Sequence, residues 1–169
     1  MKKKVLLHTC CAPCTTQVYI DLVSAGLEVA GFFYNPNIYP KEEYQKRKEG
    51  MDLYCAKTGL PMIYIENDLD YKPGECNLCY KMRLIRTAQF AKSRGFDGFT
   101  TTLLISPYQQ HDLIKDLGGE IAKMAGIEFL YIDFRPNYFK GRELAKTYNL
   151  YSQKYCGCSA SIKTRGGKK

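Results

Sequence analysis

The chain has 169 residues, 45% of them hydrophobic and 25% charged, and a formal net charge of +8. These values suit one globular domain with its own core and exclude a disordered, fibrous or collagenous chain. No apolar run approaches the roughly 18–20 residues that span a bilayer, and Val5 to Leu7, between the N-terminal lysines and His8, is too short for a signal peptide.

The predicted elements alternate strand and helix. Lys4 to His8 reads as a short buried strand. Cys14 to Ala25 reads as a helix with Val18, Leu22 and Val23 on its apolar stripe and Gly26 as its stop. Leu27 to Tyr34 is a second strand, followed by the turn-rich Asn35-Pro36-Asn37-Ile38-Tyr39-Pro40. Lys41 to Thr58 is a charged helix closed by Gly59, and Pro61 to Ile65 a third strand. Leu78 to Arg94 is helical up to Gly95, and Gly98 to Leu104 is a fourth strand. Tyr108 to Ala125 is helical with a break expected at Gly118-Gly119. Glu128 to Ile132 is a fifth strand and Gly141 to Leu150 a last helix. Five strands with helical crossovers predict an α/β fold, a parallel sheet with helices on both faces. Ligands in such sheets bind beyond the carboxyl ends of the strands, at the topological switch point. The loops after strands one, two and four would meet on that rim.

The excess charge lies at the chain ends. Lys2, Lys3 and Lys4, with Lys163, Arg165, Lys168 and Lys169, supply seven of the eight excess positive charges. The expected organisation is one α/β metalloenzyme domain, 1–162, and a basic C-terminal tail, 163–169. The tail is either solvated or a contact for phosphate.

The cysteines carry most of the chemistry. Seven of eight fall in three tight groups: Cys10-Cys11-x-x-Cys14, Cys76-x-x-Cys79 and Cys156-x-Cys158. The expected compartment is the cytoplasm, which keeps thiols reduced, so disulfide scaffolding is not the expectation. Core cysteines behave as small hydrophobes and have no reason to cluster. Thiolate groups at this spacing suit zinc or an iron–sulfur cluster. Seven exceed one structural zinc and divide into a four-thiolate cluster and a remainder of three. That remainder is either a second metal site or a redox dithiol. Cys55 stands alone and reads as a half-buried helix cysteine.

Taken together, several motifs resemble one family. They are His8-Thr9-Cys10-Cys11-Ala12-Pro13-Cys14, Phe33-Tyr34-Asn35-Pro36-Asn37-Ile38 with Glu43-Tyr44 and Arg47, and Cys76-Asn77-Leu78-Cys79-Tyr80 with Arg83-Leu84. Thr101-Thr102-Leu103-Leu104-Ile105-Ser106-Pro107-Tyr108-Gln109, Phe134-Arg135 and Tyr151-Ser152-Gln153-Lys154-Tyr155-Cys156-Gly157-Cys158 complete the series. The chain resembles the cobalamin-independent epoxyqueuosine reductases, QueH. The resemblance implies a Rossmann-like fold akin to the HUP and PP-loop proteins. It also implies a [4Fe-4S] cluster, no cobalamin, and the last step of queuosine synthesis in tRNA. In that step epoxyqueuosine at the wobble position takes two electrons and two protons and loses its epoxide oxygen as water.

Within that reading, the preferred division gives the cluster Cys10, Cys11, Cys76 and Cys79. Cys14, Cys156 and Cys158 remain for a second mononuclear iron or, for the last two, a redox-active dithiol, and these three are the expected catalytic residues. Spacing leaves the division open, because neighbouring Cys10 and Cys11 can serve different centres. Tyr34, Asn35 and Asn37 are candidates for the base or its diol, against plain turn chemistry. Thr101, Ser106, Tyr108 and Gln109 are candidates to line the pocket, against a helix cap at Ser106 before Pro107. Arg83 and Arg135 are candidates for phosphate, and His8 for a proton donor, against a core histidine. The expected partners are tRNA and an unidentified electron donor of ferredoxin or flavodoxin type. A PP-loop thiolase would need a glycine-rich loop after strand one, where this chain has Thr9-Cys10-Cys11-Ala12-Pro13-Cys14, so no ATP use is expected. A zinc-binding RNA module and a simple thiol oxidoreductase are the other rivals.

Overall fold

The computed structural model describes residues 1–66, 74–159 and 161. The basic tail, 163–169, lies outside the described residues. Five strands form one sheet: β1 Lys4–His8, β2 Glu28–Phe33, β3 Met62–Tyr64, β4 Gly98–Thr101 and β5 Glu128–Phe129. Their order is β3-β2-β1-β4-β5 and every pairing is parallel. Among the described residues, five α-helices cover the sheet: α1 Ala12–Ser24, α2 Lys41–Thr58, α3 Cys76–Ser93, α4 His111–Ala125 and α5 Tyr138–Thr147. α1 packs against α2 and α5, while α3 packs against α4, β1 and β4, and α4 against β5. The predicted α/β, Rossmann-like architecture is therefore the observed one.

β1 is the central strand, and Val5, Leu6 and Leu7 are fully buried, as a strand covered on both faces requires. Each such leucine contributes about 1.5–3 kcal/mol relative to an exposed one. The chain leaves β1 toward β2 and β3, then returns through α3 to β4 on the other side of β1. The switch point thus lies between β1 and β4. His8 stands level with Phe32 of β2 and Thr101 of β4, so the segments that follow all three strands start at the same height. This register delivers the first cysteine group to the rim.

Several element bounds differ from the sequence expectation for identifiable reasons. α1 begins at Ala12, with Pro13 in its first turn, where a missing N–H costs nothing. β4 ends at Thr101 rather than Leu104, because the Thr101 hydroxyl accepts from the Leu103 N–H and folds Thr102–Ile105 into a 3₁₀ turn. β5 spans only two residues. α4 starts at His111 rather than Tyr108, and it runs unbroken through Gly118-Gly119. Gly118 is a packing position: a Cβ there would lie 2.2 Å from Cε1 of Phe129. α5 starts at Tyr138, after a 3₁₀ turn over Arg135–Asn137, and so three residues before the expected Gly141.

Candidate active site

The seven clustered cysteines converge on the carboxyl rim in two groups. Cys11 is the N-cap residue of α1, so Cys10 precedes the helix and Cys14 lies in its first turn. The sulfurs of Cys10, Cys11 and Cys14 all lie within 4.8 Å of one another. Cys76 and Cys79 occupy the first turn of α3 and line a small pocket of about 80 Å³ together with Cys156 and Cys158. The structure thus brings three sulfurs within ligand distance of one another, while the other four line one pocket without any three of them meeting at that distance. Cys10 and Cys11 stand with Cys14, whereas the sequence reading paired them with Cys76 and Cys79. Cys55 sits half-buried on α2, where burial pushes its thiol up to about 11, and it lines neither this pocket nor the larger cavity beside it.

That larger cavity, about 950 Å³, joins the groups. Cys10 and Cys14 of the first group, and Cys76 and Cys156 of the second, line it. A volume of this order accommodates a nucleoside-sized ligand. Thr102, Ser106, Tyr108 and Gln109 from the β4–α4 segment form one wall, and Tyr138 and Arg142 of α5 another.

The donor set fits a soft metal. A tetrahedral site with metal–sulfur bonds of about 2.3 Å has sulfur–sulfur edges of roughly 3.8 Å. The Cys10 and Cys11 sulfurs are 3.8 Å apart, and those of Cys156 and Cys158 are 3.6 Å apart. Polar hydrogens also point at the sulfurs, as outer partners of metal-bound thiolates do. The Thr102 hydroxyl donates to Cys10 at 3.2 Å while accepting from the Cys10 N–H at 3.1 Å. Gln153 Nε2 donates to Cys11 at 2.7 Å, and Asn37 Nδ2 donates to Cys79 at 3.2 Å. The Asn37 orientation is fixed from behind: Arg83 Nη2 donates to Asn37 Oδ1 at 2.7 Å, and an arginine can only donate.

Charge is distributed unevenly among the sulfurs. Hydrogen bonds from Cys11 and Cys14, then from Thr102, hold the Cys10 thiol well below the usual range despite burial. Burial and the shared proton with Cys10 push Cys11 up to about 12. Cys14 is raised by the same sharing. α3 does begin at Cys76, as a thiolate-favouring helix terminus would, yet burial and the neighbouring sulfurs of Cys156, Cys79 and Cys158 push the Cys76 thiol up. Without a cation, then, the thiols at 76 and 156 resist ionisation, and a bound metal would relieve that cost.

Arg47 holds the late cysteine pair in place. Its Nε lies 2.8 Å from Glu43 Oε1, one helical turn earlier, with both side chains buried. Its Nη1 and Nη2 donate to the carbonyls of Cys156 and Tyr155, each at 2.8 Å. Gly157, at φ +118°, lies against the guanidinium, and a Cβ there would be 2.9 Å from Nη1. Tyr151 completes the clamp by donating to Glu43 Oε2 at 2.6 Å. Burial disfavours the Arg47 charge, but Cys11 and Glu43 outweigh it and raise its pKa.

The expected substrate residues separate into three sets and one outlier, Arg135. Ser106, Tyr108 and Gln109 line the large cavity, and Gln109 accepts from Tyr80 Oη at 2.6 Å. Ser106 is not the cap of α4; its hydroxyl and carbonyl accept from the N–H groups of Tyr108 and Gln109 and shape the turn. Asn37 and Arg83 line the small pocket and orient Cys79. Tyr34, Asn35 and Thr101 are buried behind the rim, where Asn35 Nδ2 donates to the Thr9 carbonyl at 2.9 Å. Thr101 serves His8, whose Nδ1 is 2.9 Å from its hydroxyl. His8 Nε2 is 3.1 Å from the Tyr34 carbonyl, so Nε2 carries the proton and Nδ1 accepts. Burial, helped by the Arg83 charge, lowers the His8 pKa to about 4. His8 is therefore a neutral core histidine. Arg135 is exposed and paired with Asp133 at 2.7 Å, and its hydrogen bonds hold that carboxyl at about 2. It lines neither cavity.

A parallel α/β protein with three cysteine sulfurs within ligand distance of one another, beside a nucleoside-sized cavity at its switch point, is a Rossmann-like protein with a candidate metal site. The family description "Epoxyqueuosine reductase QueH" matches residues 5–164. Curated proteins named "Epoxyqueuosine reductase QueH" are similar over nearly the whole chain. That of Dehalococcoides mccartyi is 37% identical, over 99% of this chain and 97% of its own. That of Thermotoga maritima is 37% identical, over 97% and 93%, and that of Acinetobacter baylyi 35%, over 95% and 81%. The chain belongs to the QueH family. No helix among the described residues is long and apolar enough to cross a membrane.

Proposed function

We propose that this protein is an oxidoreductase of the cytoplasm that converts epoxyqueuosine to queuosine at the wobble position of tRNA. The observation that carries the reading is the single cavity of about 950 Å³ on which both sulfur groups open. The relatives' shared name supplies the substrate. In the reaction both epoxide C–O bonds break, a C=C bond forms, and the oxygen leaves as water with two protons and two electrons.

The seven clustered cysteines hold a [4Fe-4S] cluster and a second centre, either a mononuclear iron or a Cys156–Cys158 dithiol. The close approach of the Cys10, Cys11 and Cys14 sulfurs supports a division in which these three serve one centre, and Cys76, Cys79, Cys156 and Cys158, which line one pocket, are left for the other. When bound, these groups supply electrons and a Lewis acid. The chain's own residues orient and exclude. Asn37, Thr102 and Gln153 hold three sulfurs by hydrogen bonds. Tyr80 and Gln109 fix the cavity wall between the groups. ATP has no part in this reading, since the loop after β1 offers thiols and a proline where a phosphate cradle needs glycine, and cobalamin has none because the family resemblance implies a cobalamin-independent reaction. The electron donor would be a ferredoxin- or flavodoxin-like protein.

The test is an anaerobic reaction of the iron-reconstituted protein with dithionite and an anticodon stem-loop carrying epoxyqueuosine, followed by nucleoside mass spectrometry. Loss of one oxygen from the modified nucleoside is the expected result. No loss from a preparation with full iron and sulfide would overturn the reading, and stoichiometric zinc without sulfide would favour the RNA-binding module.

A further inference from the structure

Two rings of the cavity wall, Tyr108 and Tyr138, continue outward into an exposed aromatic ledge. Phe139 is 78% exposed and Tyr108 73%, and Tyr138 sits between them. Tyr138 meets Tyr108 edge-on at 6.3 Å and Phe139 at 5.3 Å, so the three rings form one continuous surface. A single exposed ring is ordinary, whereas contiguous exposed rings mark an interaction surface. Cations flank the ledge. Arg142 lies one turn beyond Tyr138 on α5, and both line the cavity, as does Lys154; Lys140 is exposed beside Phe139. None of Lys140, Arg142 and Lys154 has an acidic partner within ion-pair distance among the described residues.

We propose that the Tyr108–Tyr138–Phe139 ledge, with Arg142 and Lys154 at the cavity mouth, binds the unpaired RNA nucleotides that flank the modified base. This rests on the proposed function and extends it to the surface that presents the substrate. Every base has a π-face, so stacking on exposed rings tolerates sequence, and interleaved cations hold the phosphates between stacked bases. The geometry also suits loop RNA and not duplex. Bases already stacked and paired cannot lie on a ring ledge, and the base entering the cavity must leave its own stack. The net positive rim matches phosphates.

The experiment compares Phe139→Ala, Phe139→Trp, Arg142→Gln and Arg142→Lys with the wild-type holoprotein. Binding of an unmodified anticodon stem-loop and of a blunt RNA duplex of equal charge is read by fluorescence anisotropy across a salt series. Phe139→Ala should weaken stem-loop binding on the order of 5- to 20-fold, the loss of one stacked base. Phe139→Trp should retain it, and duplex binding should not change. Arg142→Gln should lower the salt slope by about 0.7, one single-strand phosphate contact, and Arg142→Lys should keep it. Wild-type stem-loop affinity in Phe139→Ala would overturn the proposal, as would equal weakening toward duplex. Unchanged RNA binding with slower reduction by a flavodoxin would assign the ledge to a redox partner and would also overturn it. The binding comparison uses unmodified RNA, so a wild-type protein that fails to reduce epoxyqueuosine defeats the proposed function without deciding the ledge.

Discussion

Replacing Arg47 with methionine should both destabilise the domain and release the late cysteine pair. In the folded protein the Arg47 side chain is 1% exposed and its Glu43 partner 7%. Removing one member of such a buried pair strands the other charge and costs about 3–5 kcal/mol. Here the loss also leaves the Cys156 and Tyr155 carbonyls without their donor. For a domain of this size a loss of that order lowers Tm by roughly 6–20 °C. The double variant Glu43→Gln/Arg47→Met should recover part of the loss, because no carboxylate is then stranded. Urea unfolding of the reduced, metal-free proteins measures the stability terms. Alkylation of folded protein, followed by peptide mass spectrometry, measures release: Cys156 and Cys158 should react faster in Arg47→Met, and Cys10 and Cys11 should stay slow. A single variant within about 1 kcal/mol of wild type, or unchanged alkylation at Cys156 and Cys158, would refute this account of the clamp.

Gly157→Ala should act on the same segment by strain, since its Cβ would meet the immobilised Arg47 Nη1 at 2.9 Å at φ +118°; a loss of about 1–3 kcal/mol in urea unfolding is expected. Gly118→Ala should cost a similar ~1–3 kcal/mol by forcing the Phe129 ring away from α4, without altering thiol reactivity at the rim. His8 makes the metal-free protein acid-sensitive in a defined window. Its pKa is lowered from 6.5 to about 4 on folding, so between those values the unfolded chain binds more protons and stability falls as pH falls. The loss should reach about 3 kcal/mol by pH 4, and His8→Gln should lack that part of the slope.

The fold was legible because its signals are local and redundant. Val5-Leu6-Leu7 reads as a doubly covered strand, and Gly59 and Gly126 at positive φ close α2 and α4 where a sequence reader puts the stops. Misplaced bounds have one local and one tertiary cause: the Thr101 hydroxyl caps a 3₁₀ turn that ends β4, and Gly118 packs against Phe129 instead of breaking a helix. The cysteine groups were visible from spacing, but their pairing was not, because the 65 residues between Cys10 and Cys76 carry no distance information. Gln153 and Arg47 stood inside recognisable motifs without any sign of whom they touch. Arg142 had no sequence signal at all; it reads as one more charge on a helix and becomes notable only where α5 meets the cavity.

Iron and acid-labile sulfide content of anaerobically reconstituted serine variants, one set at Cys10 and Cys14 and one at Cys79 and Cys156, tests the two-group centre most directly. The account predicts that one set loses sulfide together with its iron, while the other keeps the sulfide and loses at most a single iron, and that Cys55→Ser loses neither. Equal and complete loss of iron and sulfide from both sets would mean one centre that draws on both groups, and full content in both sets would remove both groups from metal binding; either result would contradict the account.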